Sequence, residues 1–154
     1  SPDLTPSLWY FGDDPSAYLD GCGGFSVHRQ PGADFAENMQ TVIDRIHCPP
    51  NRGVLLVGSD HPGLRPVHLV DAAASPRRCD VVLAPTEDGG FWALGTRVPL
   101  PGIFSEMTFS TSTVYDELRE RLAARGLSVH RGFGLFDVDT AADWHRVKKN
   151  SLLR

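Results

Sequence analysis

The chain carries no basic block. Lys and Arg total 15 against 19 Asp and Glu, a formal net charge of −4, so the electrostatic footprint of a nucleic-acid-coating protein is missing. No apolar run approaches the roughly 18 residues that a membrane-crossing helix needs. The start, Ser1-Pro2-Asp3-Leu4, shows no basic-then-apolar signal pattern and no methionine, as in a trimmed chain. Cysteine is scarce: Cys22, Cys48 and Cys79 are odd in number and form no CxxC pair. That argues against a thiolate zinc site or a disulfide framework and agrees with a reducing, cytoplasmic setting. Each cysteine reads as a small, partly buried hydrophobe. His28, His47, His61, His68, His130 and His145 lack metal-ligand spacing and read as surface or packed residues, except His61, which merely neighbours Asp60. No repeat, low-complexity tract, Ser–His–Asp order, P-loop or complete GxGxxG can be defended.

What is present suits one folded domain spanning residues 1–154. Hydrophobic residues make up 41% and charged residues 22%, which argues against disorder. Ser7 to Phe11 reads as a strand closed by Gly12-Asp13-Asp14-Pro15, with a short helix over Asp14–Leu19 and a short strand from Phe25 to His28. Phe35, Met39, Val42, Ile43 and Ile46 recur at helical spacing. Asp34, with Glu37 three residues on, resembles a capping box, and Cys48-Pro49-Pro50 ends the helix. Gly53 to Val57 is a continuous apolar run, suited to a strand buried on both faces. A helix with Pro66 in its first turn follows, with Leu69, Val70 and Ala73 inward. Asp80 to Ala84 is a second buried strand, and Phe91 to Leu94 another. Thr113 to Arg125 reads as a helix with Val114, Leu118 and Leu122 inward and Gly126 as its stop. Short strands over Leu127–His130 and Leu135–Val138 precede a last helix capped by Thr140, with Trp144 and Val147 as anchors. This alternation points to a three-layer α/β/α fold with a mostly parallel sheet.

In open α/β sheets, ligands gather beyond the carboxyl ends of the strands. Asp60 directly follows the best strand and is held by Pro62 on a short turn. A carboxylate so placed suits a hard cation such as Mg²⁺, and equally suits capping of the turn itself. Asp137 and Asp139 would fall on opposite sides of an extended backbone, whereas a turn would let both converge. One of them capping the last helix is the plainer reading. Asp88 lies in a turn whose Gly89 and Gly90 permit close backbone approach, although a bare Gly-Gly is more often an ordinary turn. Ser110, Thr111, Ser112 and Thr113 stand at a helix start, where free N–H groups favour an anion or one hydroxyl simply caps the helix.

Taken in order, Gly32-Ala33-Asp34-Phe35-Ala36-Glu37-Asn38-Met39, Gly58-Ser59-Asp60-His61-Pro62, Asp80 to Pro85, Asp88-Gly89-Gly90-Phe91-Trp92, Phe109-Ser110-Thr111 and Asp137-Val138-Asp139-Thr140 resemble the bacterial proteins of domain of unknown function 2064. These are GT-A-type, glycosyltransferase-like proteins related to nucleotidyltransferases, and the resemblance runs from about Ser7 to Val147. It implies a nucleotide-diphospho-sugar transferase fold. It also implies Mg²⁺-dependent nucleotidyl or glycosyl transfer between a nucleotide or nucleotide-sugar donor and a small-molecule acceptor. Carried over, Asp60, Asp137 and Asp139 would hold the metal, with Asp60 at the catalytic centre. Ser59, Asp88, Gly89, Gly90, Ser110 and Thr111 would line the substrate pocket. Such proteins open with a central first strand and a glycine- and basic-rich loop for the nucleotide phosphates. That stretch would precede Ser7, so the chain is expected to be N-terminally truncated relative to them, with sheet edge exposed. Partner exchange, as in a homodimer, or a rearranged sheet would cover that edge. The alternative is a non-catalytic remnant that binds a small anion or a protein partner.

Overall fold

The computed structural model describes residues 5–14, 16, 23–46, 53–75 and 78–149. Strands β1 (Ser7–Tyr10) and β2 (Ser26–Arg29) pair in parallel as a sheet of two. Helix α1 (Phe35–Arg45) begins where Asp34 Oδ1 accepts from the Glu37 N–H at 2.8 Å. Glu37 Oε2 in turn accepts from the Ala33 N–H at 2.7 Å, so the acidic box closes with Asp in the hydroxyl's place. Val42 and Ile43 are buried on its inner face, while Phe35 is 53% exposed and meets Phe109 edge-on.

The remaining elements are β3 (Val54–Val57), α2 (Pro66–Ala74), β4 (Val81–Pro85), β5 (Phe91–Thr96), α3 (Val114–Ala124), β6 (Val129–Arg131) and α4 (Ala141–Lys149). The main sheet has the order β3-β5-β4-β6. Strands β3, β4 and β6 point the same way, and β5 runs against them between β3 and β4. Layering follows from the alternation of side chains along β4. Val81 and Leu83 pack with Ile43 of α1 and with Val114, Leu118 and Leu122 of α3. Val82 and Ala84 pack with Ala72 of α2. The sheet therefore has helices on both faces, as a three-layer α/β/α fold requires.

Several local expectations are corrected. The Gly53–Val57 run is not buried on both faces. β3 is an edge strand among the described residues, and its Val57 is 42% exposed. The strand buried throughout is β4. A short apolar run cannot distinguish the two positions, because the distinction is made by which strand pairs beside it. On α2 the buried side chains are His68 and Ala72, with Leu69 packed beside them, and Val70 faces outward. His68 is tolerated inside because its Nδ1 accepts the Arg65 N–H at 3.2 Å and its ring lies against Trp92 and Phe133. Trp144 is 41% exposed, leaving Val147 as the buried anchor of α4. Leu135–Val138 is not a strand, and Leu135 makes only an isolated bridge to Thr86. Most of the Asp14–Leu19 helix, Cys22 and the Cys48-Pro49-Pro50 stop lie outside the described residues.

One segment had no sequence signal. Leu100, Ile103, Phe104 and Met107 are all buried in the core between β5 and α3, yet they belong to no helix or strand. Gln40 of α1 holds this segment from both sides. Its Nε2 donates to the Leu100 carbonyl at 3.1 Å, and its Oε1 accepts the Phe104 N–H at 3.0 Å.

Candidate metal centre

The site lies beyond the carboxyl end of β4. There the Thr86–Leu135 bridge and the Glu87 N–H, which donates to the Leu135 carbonyl at 3.0 Å, lay the segment after β6 alongside the end of β4. Asp88 closes its own turn. Its Oδ1 accepts the Gly90 N–H at 2.9 Å and the Thr86 hydroxyl. Gly89 adopts φ +93°, and a Cβ there would collide with the Ser112 carbonyl. The turn can therefore sit directly on the start of α3, where the Gly89 carbonyl accepts the Tyr115 N–H at 2.8 Å. Glycine is required at this position for both its backbone angle and its lack of bulk.

Asp137, Asp139 and Asp88 converge: one carboxylate oxygen from each lies within 4.8 Å of the others. The two aspartates flanking Val138 share one side because the backbone here is not a strand. Here the Val138 N–H donates to the Asp60 carbonyl at 3.0 Å. That bond also brings the turn after β3 against the cluster. Asp60 itself stays outside the set of three. Its carboxylate is 51% exposed, and Oδ1 lies 3.1 Å from Nε2 of the buried His61. Burial, and then the charges of Asp88, Asp139 and Asp60, push the Asp137 carboxyl above its ordinary value. Asp137 is thus the half-buried member of an acidic group whose other two members are exposed. Nδ1 of His61 is buried with no partner among the described residues.

The start of α3 is a weaker anion site than its four hydroxyl residues suggest. The Tyr115 N–H is already taken, Asp116 and Glu117 fill the first turn, and Thr113 makes no side-chain cap. The hydroxyls of Thr111 and Thr113 pair at 3.1 Å, and Ser110 is exposed with φ +61°. Ser59 is exposed beside Asp60. The structure therefore groups Asp88, Asp137 and Asp139, sets Asp60 next to them, and seats Gly89 on the Ser110–Thr113 segment. Asp88 was legible as a pocket residue but not as the third acid, because its approach depends on a bridge between distant segments.

No helix among the described residues is long and apolar enough to cross a membrane. No curated protein matches the chain. A crystal structure from Desulfovibrio desulfuricans G20, provisionally described as a nucleotide-diphospho-sugar transferase, superimposes with a TM-score of 0.74 at 23% identity, over 94% of this chain and 67% of that one. A Mycobacterium sp. strain JC1 homologue of Mycobacterium tuberculosis rv0371c gives a TM-score of 0.56 at 18% identity, over 96% of this chain and 75% of that one. At such identities the likeness is one of fold alone, and it supports the GT-A-like α/β architecture. The family model described as "Uncharacterized protein conserved in bacteria (DUF2064)" matches residues 1–111, well over half of the sequence, and the chain belongs to that family.

Proposed function

We propose that this chain is a divalent-metal-dependent transferase of the nucleotidyl or glycosyl kind, acting on a nucleotide or nucleotide-sugar donor and a small-molecule acceptor. The observation that carries the reading is the convergence of Asp88, Asp137 and Asp139 within 4.8 Å beyond the carboxyl end of β4. The donor set fits Mg²⁺ in chemistry: all its ligand atoms are carboxylate oxygens, the hard donors this ion prefers. Asp88, Asp137 and Asp139 would hold the ion, with Asp60 adding charge from beside them. When bound, Mg²⁺ supplies charge neutralisation at the phosphates of the donor and its leaving group. The rest falls to this chain's own groups. Gly89 and Gly90 let the turn pack against Ser112 and Thr86, which would hold the Asp88 carboxylate in place for the ion. The exposed hydroxyls of Ser59, Ser110 and Thr111 would donate to substrate oxygens. No covalent nucleophile is required, since transfer of this type depends on positioning and charge.

The test is calorimetric titration with nucleotides and nucleotide sugars, with and without Mg²⁺. The reading expects saturable, Mg²⁺-dependent binding that is abolished in Asp137→Asn and weakened in Asp60→Asn. Binding that ignores Mg²⁺ and survives Asp137→Asn would instead favour a non-catalytic binding module.

A further inference from the structure

Arg146, on α4, touches none of the three acids, yet it holds the chain neighbour of two of them. Its guanidinium is bidentate to the Glu87 carboxylate, at 2.7 and 3.1 Å, and Glu87 immediately precedes Asp88. The same guanidinium stands 4.6 Å from the centre of the Phe136 ring, and Phe136 immediately precedes Asp137. Phe136 is buried, so the ring is a fixed platform. The two acid-bearing segments are distant in sequence and meet through the Thr86–Leu135 bridge and the Glu87 N–H bond to Leu135. One side chain thus spans the junction from outside. The α4 helix that carries it is itself pinned close by. Thr140 and Asp143 form a reciprocal cap, with Asp143 Oδ2 accepting the Thr140 N–H at 2.9 Å and Thr140 Oγ1 accepting the Asp143 N–H at 3.2 Å.

Three carboxylates this close repel one another when no cation lies between them. Something must offset that repulsion if the site is to stay assembled. Arg146 is suited to the task because it forks onto Glu87 and stacks on Phe136 at once, a pairing that a point charge cannot reproduce. An exposed ion pair with a single contact contributes little. A bidentate pair that also covers a buried ring is a different case, and it resembles the outer partners that orient metal ligands.

We propose that Arg146 is a positioning residue for the divalent cation: by gripping Glu87 and Phe136 it fixes the spacing of Asp88 and Asp137 and thereby sets the affinity of the acidic site. The proposal rests on the metal reading of that site. It is tested by Mn²⁺ binding to the 154-residue chain, followed by calorimetry and by the electron paramagnetic signal of free Mn²⁺. Arg146→Ala should weaken Mn²⁺ binding about tenfold, the low end for outer-shell partners because the pair is half exposed. Arg146→Lys should recover only part of the loss. Glu87→Gln removes the same clamp without altering α4, so it should reproduce the loss even if Arg146→Ala folds poorly. The charge swap Glu87→Arg with Arg146→Glu restores the ion pair but not the contact of a cation with the Phe136 ring, so it should recover only part of the affinity. Arg119→Ala, on α3 and paired with Asp116, should change nothing. If the parent chain binds Mn²⁺ and both Arg146→Ala and Glu87→Gln bind it equally well, Arg146 serves only to dock the helix and the proposal is overturned. If the parent chain binds no Mn²⁺, the metal reading itself fails and takes the proposal with it.

Discussion

Asp137 bears the cost of the acidic site. Burial and the neighbouring acids raise its carboxyl above the ordinary value, so the folded chain holds that proton more tightly than the unfolded chain does. Its ionised form therefore opposes folding at neutral pH, and that penalty fades as pH falls into the ordinary carboxylate range. Asp137→Asn should accordingly raise the melting temperature of the metal-free protein at neutral pH, with the gain shrinking toward about pH 4. The same variant should lose the metal, a trade of function for stability that is common at such sites. Scanning calorimetry at two pH values checks the sign. Gly89 gives the opposite case. Gly89→Ala meets both φ +93° and the Ser112 carbonyl and should cost about 2 kcal/mol in urea unfolding, with loss of metal binding as the Asp88 turn lifts. These residues were only half legible in the sequence. An aspartate in an Asp-Gly-Gly turn and an Asp-Val-Asp near a helix start are visible motifs. That Asp88 joins Asp137 and Asp139 is not, because no local pattern encodes a bridge between Thr86 and Leu135.

At the level of elements, periodicity identified the well-spaced helices and missed what depends on neighbours. The stripe of α3 and the cap of α1 follow directly from residue spacing. The antiparallel insertion of β5 between β3 and β4 does not, since strands of either direction share the same side-chain period. Nor does the buried Leu100–Met107 segment, which contributes apolar side chains without any repeat. Its attachment to α1 can be tested. Gln40→Ala would leave the N–H of buried Phe104 without its acceptor and should destabilise the protein by about 1–3 kcal/mol. Thr140→Ala removes the cap of α4 and should cost about 1 kcal/mol. Both are read from denaturant midpoints at constant slope.

For the whole molecule, the decisive feature is that the strands of the described residues form two separate sheets. β1 and β2 stand as a parallel pair, and the outer edge of β3 has no strand beside it among the described residues. β3 is an edge strand among the described residues, and edges of this kind recruit other strands. The chain should self-associate as its concentration rises, and Val57→Lys, at a side chain already 42% exposed, should reduce that association in sedimentation velocity runs. Fold class and family were both legible through the resemblance that the ordered motifs carry, whereas the strand order within the sheet was not. Activity was not, because it depends on whether the gathered acids hold a cation and a donor together. The most direct measurement is nucleotide binding to the parent chain and to Asp137→Asn across a Mg²⁺ series. Binding that rises with Mg²⁺ in the parent and is abolished in Asp137→Asn is the expected result. Equal binding by both proteins, or binding indifferent to Mg²⁺, would contradict the assignment of Asp88, Asp137 and Asp139 as a metal centre.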